Sequence, residues 1–156
     1  MLAQTEKLLR NSSYNDNLKK EEYGLKLFIK WCSENGWRYR INPIDSEMNK
    51  HGSDITIKKG DTKLEIDIKG CQYAYDTVAL SYERSYDGVH WFSSLNQNKN
   101  TNLYVFYDEQ DNMYAISLDD ILFMFDEFEK VSANVNKAGH YNKVIKIPKD
   151  LLLILN

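Results

Sequence analysis

Proline and cysteine are nearly missing from this chain, with two of each in 156 residues, and glycine is scarce at seven. So little Gly and Pro excludes collagen-like and low-complexity classes. A composition of 42% hydrophobic and 13% aromatic residues excludes intrinsic disorder and can fill one core. Cys32 and Cys71 lie far apart and outside any metal-ligand spacing. That argues against a disulfide framework or a Cys/His zinc site and points to two free thiols in a reducing compartment. Long apolar runs are missing too. The longest, Leu151-Leu152-Leu153-Ile154-Leu155, falls far short of the roughly 18–20 residues of a membrane span, so no membrane partner is expected. Residues 1–30 carry charges throughout, which leaves no signal-peptide core. The chain has no phosphate-cradling GxxxxGK or GxGxxG loop and no nucleophile elbow for Ser-His-Asp chemistry.

A strong excess of one charge is also lacking, since 20 basic residues face 23 acidic ones for a net charge of −3. The halves nevertheless differ. Residues 1–70 hold 13 Lys/Arg against 11 Asp/Glu, and residues 71–156 hold 7 against 12. Net charge therefore does not decide the partner, because carboxylates gathered to bind a cation distort such a count.

What is present reads as one domain over residues 1–156, with 1–17 a loose N-terminal segment. The polar run 11–17 is expected to be a loop that caps a helix beginning at Leu18. From Leu18 to about Glu34, the residues Leu18, Leu25, Phe28, Ile29 and Cys32 recur at helical spacing, and Asn35-Gly36 stops the helix. A short strand is expected over Trp37–Ile41 and a loop over Pro43–Gly52. Strict alternation over Asp54–Lys58 and Leu64–Lys69, joined by Lys59-Gly60-Asp61, predicts a hairpin. Further strands are read at Val78–Tyr82, Asn102–Tyr107, Met113–Ser117 and Lys143–Ile147. A helix is read over Leu118–Val131 and a short final helix over Pro148–Leu155. The expected class is α/β (α+β), an N-terminal helix followed by a central mixed, mostly antiparallel sheet flanked by helices.

The hairpin carries the chemistry. Side chains alternate faces along a strand, so Ile55, Ile57, Leu64, Ile66 and Ile68 point to one side. Asp54, Glu65, Asp67 and Lys69 point to the other. Three carboxylates and a lysine side by side are costly unless something binds them. A divalent cation with hard oxygen ligands is the natural neutraliser, and a neighbouring lysine can orient water or stabilise charge on a phosphate. On alternation alone, the same pattern also describes an ordinary solvated sheet face with cross-strand charge pairs.

The stretch GSDITIKKGDTKLEIDIKG, residues 52–70, resembles the PD-(D/E)xK nuclease superfamily of restriction-endonuclease-like fold. The resemblance covers roughly residues 18–84. Asp54 matches the first acid, Asp67 the second and Lys69 the lysine, while Ser53 stands where the motif has Pro. The resemblance implies a Mg²⁺- or Mn²⁺-dependent endonuclease or exonuclease that hydrolyses phosphodiester bonds. Asp54, Asp67 and the Ile68 carbonyl would ligate the metal, and Lys69 would position or activate water. A further Glu from the preceding helix is matched by Glu21 or Glu22, and Glu65 is either a ligand or base for a second metal or a bystander. The third strand resembles phage-type or resolvase-like members, which makes Ser81 and Glu83 weaker candidates. Lys58-Lys59 and Lys19-Lys20 are weak candidates for phosphate contacts. His51 stands close before Asp54, and Trp91-Phe92 reads either as a stacking pair for a nucleobase or as a buried aromatic pair. The implied partner is nucleic acid, DNA ahead of RNA, with homodimerisation an option for cutting two strands. The implied setting is the cytoplasm of a bacterial or phage-infected cell. The alternative is a catalytically inactive restriction-endonuclease-like module that binds nucleic acid or protein.

Overall fold

The computed structural model describes residues 19–72, 76–93, 95, 100–136 and 139–156, with the side chains of 71, 72 and 134–136 left aside. Leu18, the loop 11–17 and the loose segment 1–17 lie outside the described residues. The strands, in chain order, are β1 Arg38–Ile41, β2 Ile55–Lys59, β3 Thr62–Gln72, β4 Thr77–Ser85, β5 Trp91–Ser93, β6 Leu103–Asp108, β7 Met113–Ser117, β8 Glu129–Asn136, β9 His140–Pro148 and β10 Leu153–Leu155. Helix α1 covers residues 19–34, α2 is the single turn Glu47–Lys50, and α3 is Leu118–Phe123. The protein is α+β and dominated by sheet. No helix among the described residues is long and apolar enough to cross a membrane.

The larger sheet has the order β1-β2-β3-β6-β7-β10. It is mixed and mostly antiparallel, because among the described residues only β3 and β6 run parallel. The β2–β3 hairpin forms as its alternation requires, with Ile55 opposite Ile66, Ile57 opposite Leu64 and Lys59 opposite Thr62. Gly60 supplies the positive φ of 59° that a primed two-residue turn needs at its first position. One face of this sheet is apolar and packs against α1. Phe28 and Cys32 of the helix are buried with Ile55, Ile57, Ile66, Ile68, Val105 and Tyr107. Each such side chain contributes on the order of 1.5–3 kcal/mol on burial, which fixes the hairpin's register from this side.

A second sheet, β5-β4-β9-β8, covers the other face. Val78, Leu80, Ile145 and Ile147 from it share a core with Tyr104, Phe106 and Ile116 of the larger sheet. On this face a sheet, and not a further helix, covers the larger sheet. This layer lies over β6 and β7 and walls a cleft at the Asp67–Lys69 end of β3, while Arg38, Arg40, Lys58 and Lys63 toward the β2–β3 turn stay exposed.

Strands form in two places where the spacing predicts helices. The Leu118–Val131 helix ends at Phe123, a 3-10 turn follows at Phe125–Glu127, and β8 starts at Glu129. Pairing of β8 with β9 over seven register positions outweighs the local helical spacing. The Pro148–Leu155 helix is a 3-10 turn at Lys149–Leu151 followed by β10, which pairs with β7. A five-residue apolar run does not distinguish strand from helix by periodicity. Within the expected Pro43–Gly52 loop, Ser46 caps α2 by accepting from the Asn49 N–H at 3.2 Å.

Candidate active site

Asp54 stands just before β2, and the register places it opposite Asp67 of β3 on the face away from α1. Its own backbone N–H donates to the Ile66 carbonyl at 2.8 Å. The side chain is then pinned from two sides. Oδ2 accepts the Ile68 N–H at 2.8 Å, and Oδ1 accepts Nδ2 of Asn49 at 3.0 Å. Because N–H and C=O of one residue point to the same edge of an extended strand, the Ile68 carbonyl also faces this edge.

The carboxyls of Asp54 and Asp67 line the same cleft, close enough for each charge to act on the other. Asp67 is only 8% exposed. Burial, and then the facing Asp67 charge, holds the Asp54 carboxyl well above the usual carboxylate range. The Ile68 N–H and the Lys69 ammonium oppose that rise. Lys69 Nζ lies 3.2 Å from Asp67 Oδ2 and 5.5 Å from the centre of the Tyr104 ring. Asp54, Asp67 and Lys69 therefore meet in one cleft of about 260 Å³, walled on the far side by Ser81, Arg84, Tyr86 and Phe92.

Other candidates fall in different places. Glu65 is on the same face but is tied down, since Oε2 accepts hydroxyl hydrogen bonds from Ser53 and Thr56, both at 2.6 Å. Asn42 donates to both of those hydroxyl oxygens, at 2.9 and 3.1 Å. Glu65 thus fixes the start of β2 from below. Ser53, fully buried, uses its hydroxyl there and its N–H on the Met48 carbonyl, neither of which a proline has to give. Glu21 and Glu22 are exposed on α1, the helix packed against the opposite sheet face. Among the described residues, no group of three or more Asp, Glu, His or Cys side chains gathers as a metal site, so neither glutamate joins the acid pair.

Ser81 and Glu83 do not share a face, because a bulge between them shifts the register of β4 on β9. The bulge sends Ser81 and Arg84 into the cleft, while Glu83 forms an ion pair with Lys143 at 3.2 Å. His51 ends α2 and lies 3.5 Å from Glu47 rather than in the cleft. Lys58 and Lys59 also separate. Lys59 donates to the Asn35 carbonyl at 2.9 Å beside Trp37, and Lys58 stays exposed on the site face. Lys19 and Lys20 are exposed on α1. Phe92 is 51% exposed, so Trp91-Phe92 is no buried pair; Trp91 is half-buried beneath the Lys143 ammonium.

Asn49, Lys50, Arg84 and Tyr86 line the cleft without any expectation from the sequence. Only the Ser46 cap signal points toward α2. Cys32 is free and fully buried, and burial pushes its thiol up to about 11, which makes it unreactive.

No protein-family model matches the chain, and no curated protein sequence matches it significantly. Among solved structures, it is similar to a bacterial homing endonuclease, I-Ssp6803I. The identity is 13% and the TM-score 0.49, covering 67% of this chain and 70% of that one. It is also similar to a nuclease from a fusselovirus, at 17% identity and a TM-score of 0.44, covering 87% of this chain and 84% of the other. Both scores fall below 0.5, so the site's chemistry is read from its own geometry.

Proposed function

We propose that the chain is a metal-dependent nuclease acting on nucleic acid, DNA ahead of RNA. The observation that carries this reading is the meeting of Asp54, Asp67 and Lys69 in one cleft, with the two carboxyls face to face.

The donor set suits Mg²⁺ or Mn²⁺. It consists of hard oxygens from two carboxylates, crowded so that a bound cation relieves their repulsion, with the Ile68 carbonyl on the same edge. Asp54, Asp67 and that carbonyl would hold the ion. When bound, it would supply Lewis-acid stabilisation of charge on a phosphoryl oxygen. Asn49 and the Ile68 N–H keep the Asp54 carboxyl from rotating away. Lys69 holds its ammonium beside Asp67, where it can orient water or stabilise negative charge developing at phosphorus. Glu65 keeps the β2 start in place and acts through Asp54 as a positioning residue.

The test is a cleavage assay on single-stranded, double-stranded and branched DNA and on RNA, with Mn²⁺ and with EDTA. Mn²⁺-dependent cleavage by the wild type that is lost in Asp67→Asn supports the reading. Binding without cleavage on every substrate would instead leave a catalytically inactive binding module.

A further inference from the structure

The sheet face that carries Asp54 and Asp67 continues toward the β2–β3 turn, and along it the charge changes sign. Register places Arg38, Lys58 and Lys63 directly opposite one another across β1, β2 and β3. Two residues closer to the acid pair, Arg40, Thr56 and Glu65 form the next row. Arg38, Arg40, Lys58 and Lys63 are all exposed, and with Tyr39 and Thr56 they line a groove of about 470 Å³.

Like charges directly opposite on neighbouring strands oppose folding, and here three stand in one row. Little offsets them. Among the described residues, Arg38, Arg40 and Lys58 have no carboxylate within ion-pair distance. Lys63 has one at 3.8 Å, on a Glu65 already bonded to two hydroxyls. A chain of net charge −3 has thus gathered four cations on rigid strands with almost no acid among them. Such a face complements a polyanion. Strand spacing makes the row roughly 10 Å wide, and the four residues from Lys63 to Asp67 span roughly 13 Å. That distance is about four 3.4 Å nucleotide steps.

We propose that this groove binds the phosphate backbone of the nucleic acid on one side of the bond presented to Asp54 and Asp67. The proposal rests on the nuclease reading above. Arg38 and Arg40 offer planar forks to phosphate oxygens, and Lys58 and Lys63 offer point charges. Contacts of this kind fix position and carry no sequence information, so binding here is indifferent to base sequence.

The experiment is a salt series of fluorescence anisotropy with a labelled 20-base-pair DNA duplex of mixed sequence, in EDTA so that nothing is cut. Wild type is compared with Arg38→Gln/Lys58→Gln and with Lys26→Gln/Lys30→Gln. The second pair removes the same charge from exposed positions on α1, across the sheet. Each phosphate contact contributes about 0.9 to the slope of log affinity against log salt. The groove pair is expected to lower that slope by about 1.8 and the helix pair to leave it unchanged. Equal slopes in both pairs would overturn the proposal. Should the groove pair unfold, Lys58→Gln and Arg40→Gln alone are each expected to lower the slope by about 0.9. Cleavage with Mn²⁺ in parallel separates the two claims. A wild type that binds with the expected slope difference but never cuts defeats the catalytic reading alone. A wild type that cuts while groove variants keep its slope and KM defeats this proposal alone.

Discussion

Replacing Asp67 by Asn keeps the side chain's shape and removes the charge facing Asp54, so its effect should reverse sign when metal is added. Without metal the two carboxylates repel; for unit charges at about 4 Å such repulsion is about 1 kcal/mol in bulk water and about 4 kcal/mol at an effective dielectric of 20. A cleft open to solvent sits between these, near 2 kcal/mol. The variant gives up the Lys69 pair with Asp67, worth up to about 1 kcal/mol on a partly exposed lysine. The net expectation is that Asp67→Asn is more stable than wild type by about 1 kcal/mol in EDTA at pH 8.5.

The advantage depends on pH. The native Asp54 carboxyl holds its proton more tightly than the unfolded chain does. The stability this contributes is complete below the ordinary carboxylate range and disappears as pH rises through the raised native value. Wild type in EDTA should therefore lose stability as pH climbs from about 4 through neutrality, at up to about 1.4 kcal/mol per pH unit. Asp67→Asn removes the second cause of that rise but not the first, burial, so its slope is shallower. Metal then inverts the ranking. At a hundred times its Kd, a bound ion stabilises by about 2.7 kcal/mol. That raises the melting temperature of a chain this size by about 5–10 °C. The variant should show almost none of this. Thermal unfolding of both proteins in EDTA and in Mg²⁺ or Mn²⁺, at pH 5 and pH 8.5, measures every term. A variant that is less stable at pH 8.5 in EDTA, or that keeps the full metal response, would refute the reasoning.

Lys69→Ala should fold and keep the metal-induced shift while cleavage falls by about a hundredfold or more, since the ammonium acts on charge that develops in the reaction. Lys30→Ala on α1 is the control, and a Lys69→Ala enzyme that cuts equally well would remove the lysine from the chemistry. Glu65→Ala leaves the Ser53 and Thr56 hydroxyls without their common acceptor. It should cost about 2–4 kcal/mol in urea denaturation, and its metal response should survive if the residue only positions Asp54. Gly24→Ala would set a methyl group 2.6 Å from Cε1 of Tyr107 and 3.2 Å from Cγ2 of Ile68. Overpacking of the helix on the sheet beneath the site should cost about 1–3 kcal/mol, and an unchanged melting temperature would mean the helix sits further off.

The β2–β3 hairpin was legible because period-two alternation, a Gly60 turn and an isoleucine face all specify one register. Asp54, Asp67 and Lys69 sit side by side as a direct consequence. Features that depend on distant pairing were not legible. Nothing local announces that β1 sets Arg38 opposite Lys58, because that register belongs to the sheet and not to the sequence of either strand. The β4 bulge is equally silent; it replaces the expected Glu83 with Arg84 in the cleft and hands Glu83 to Lys143. Asn49 escaped because a four-residue helix has no periodicity to read. The second sheet was not legible as a layer because β8 reaches strand conformation through its partner β9, against helical spacing; β10, at the edge of the larger sheet, forms in the same way through β7 from an undecided apolar run. Glu21 and Glu22 were placed by analogy with a helix in a nuclease family, and their exposed positions on α1 follow from the apolar stripe that turns Phe28 and Cys32 inward.

The central claim is that Asp54 and Asp67 together hold a divalent cation beside Lys69. An anomalous difference map from a crystal of the wild-type protein soaked in Mn²⁺ tests it most directly. The account predicts one strong peak between the two carboxylates, at roughly 2.1 Å from an oxygen of each, and no peak there in Asp67→Asn. A peak elsewhere, for instance between Glu47 and His51, with none at the acid pair would contradict it.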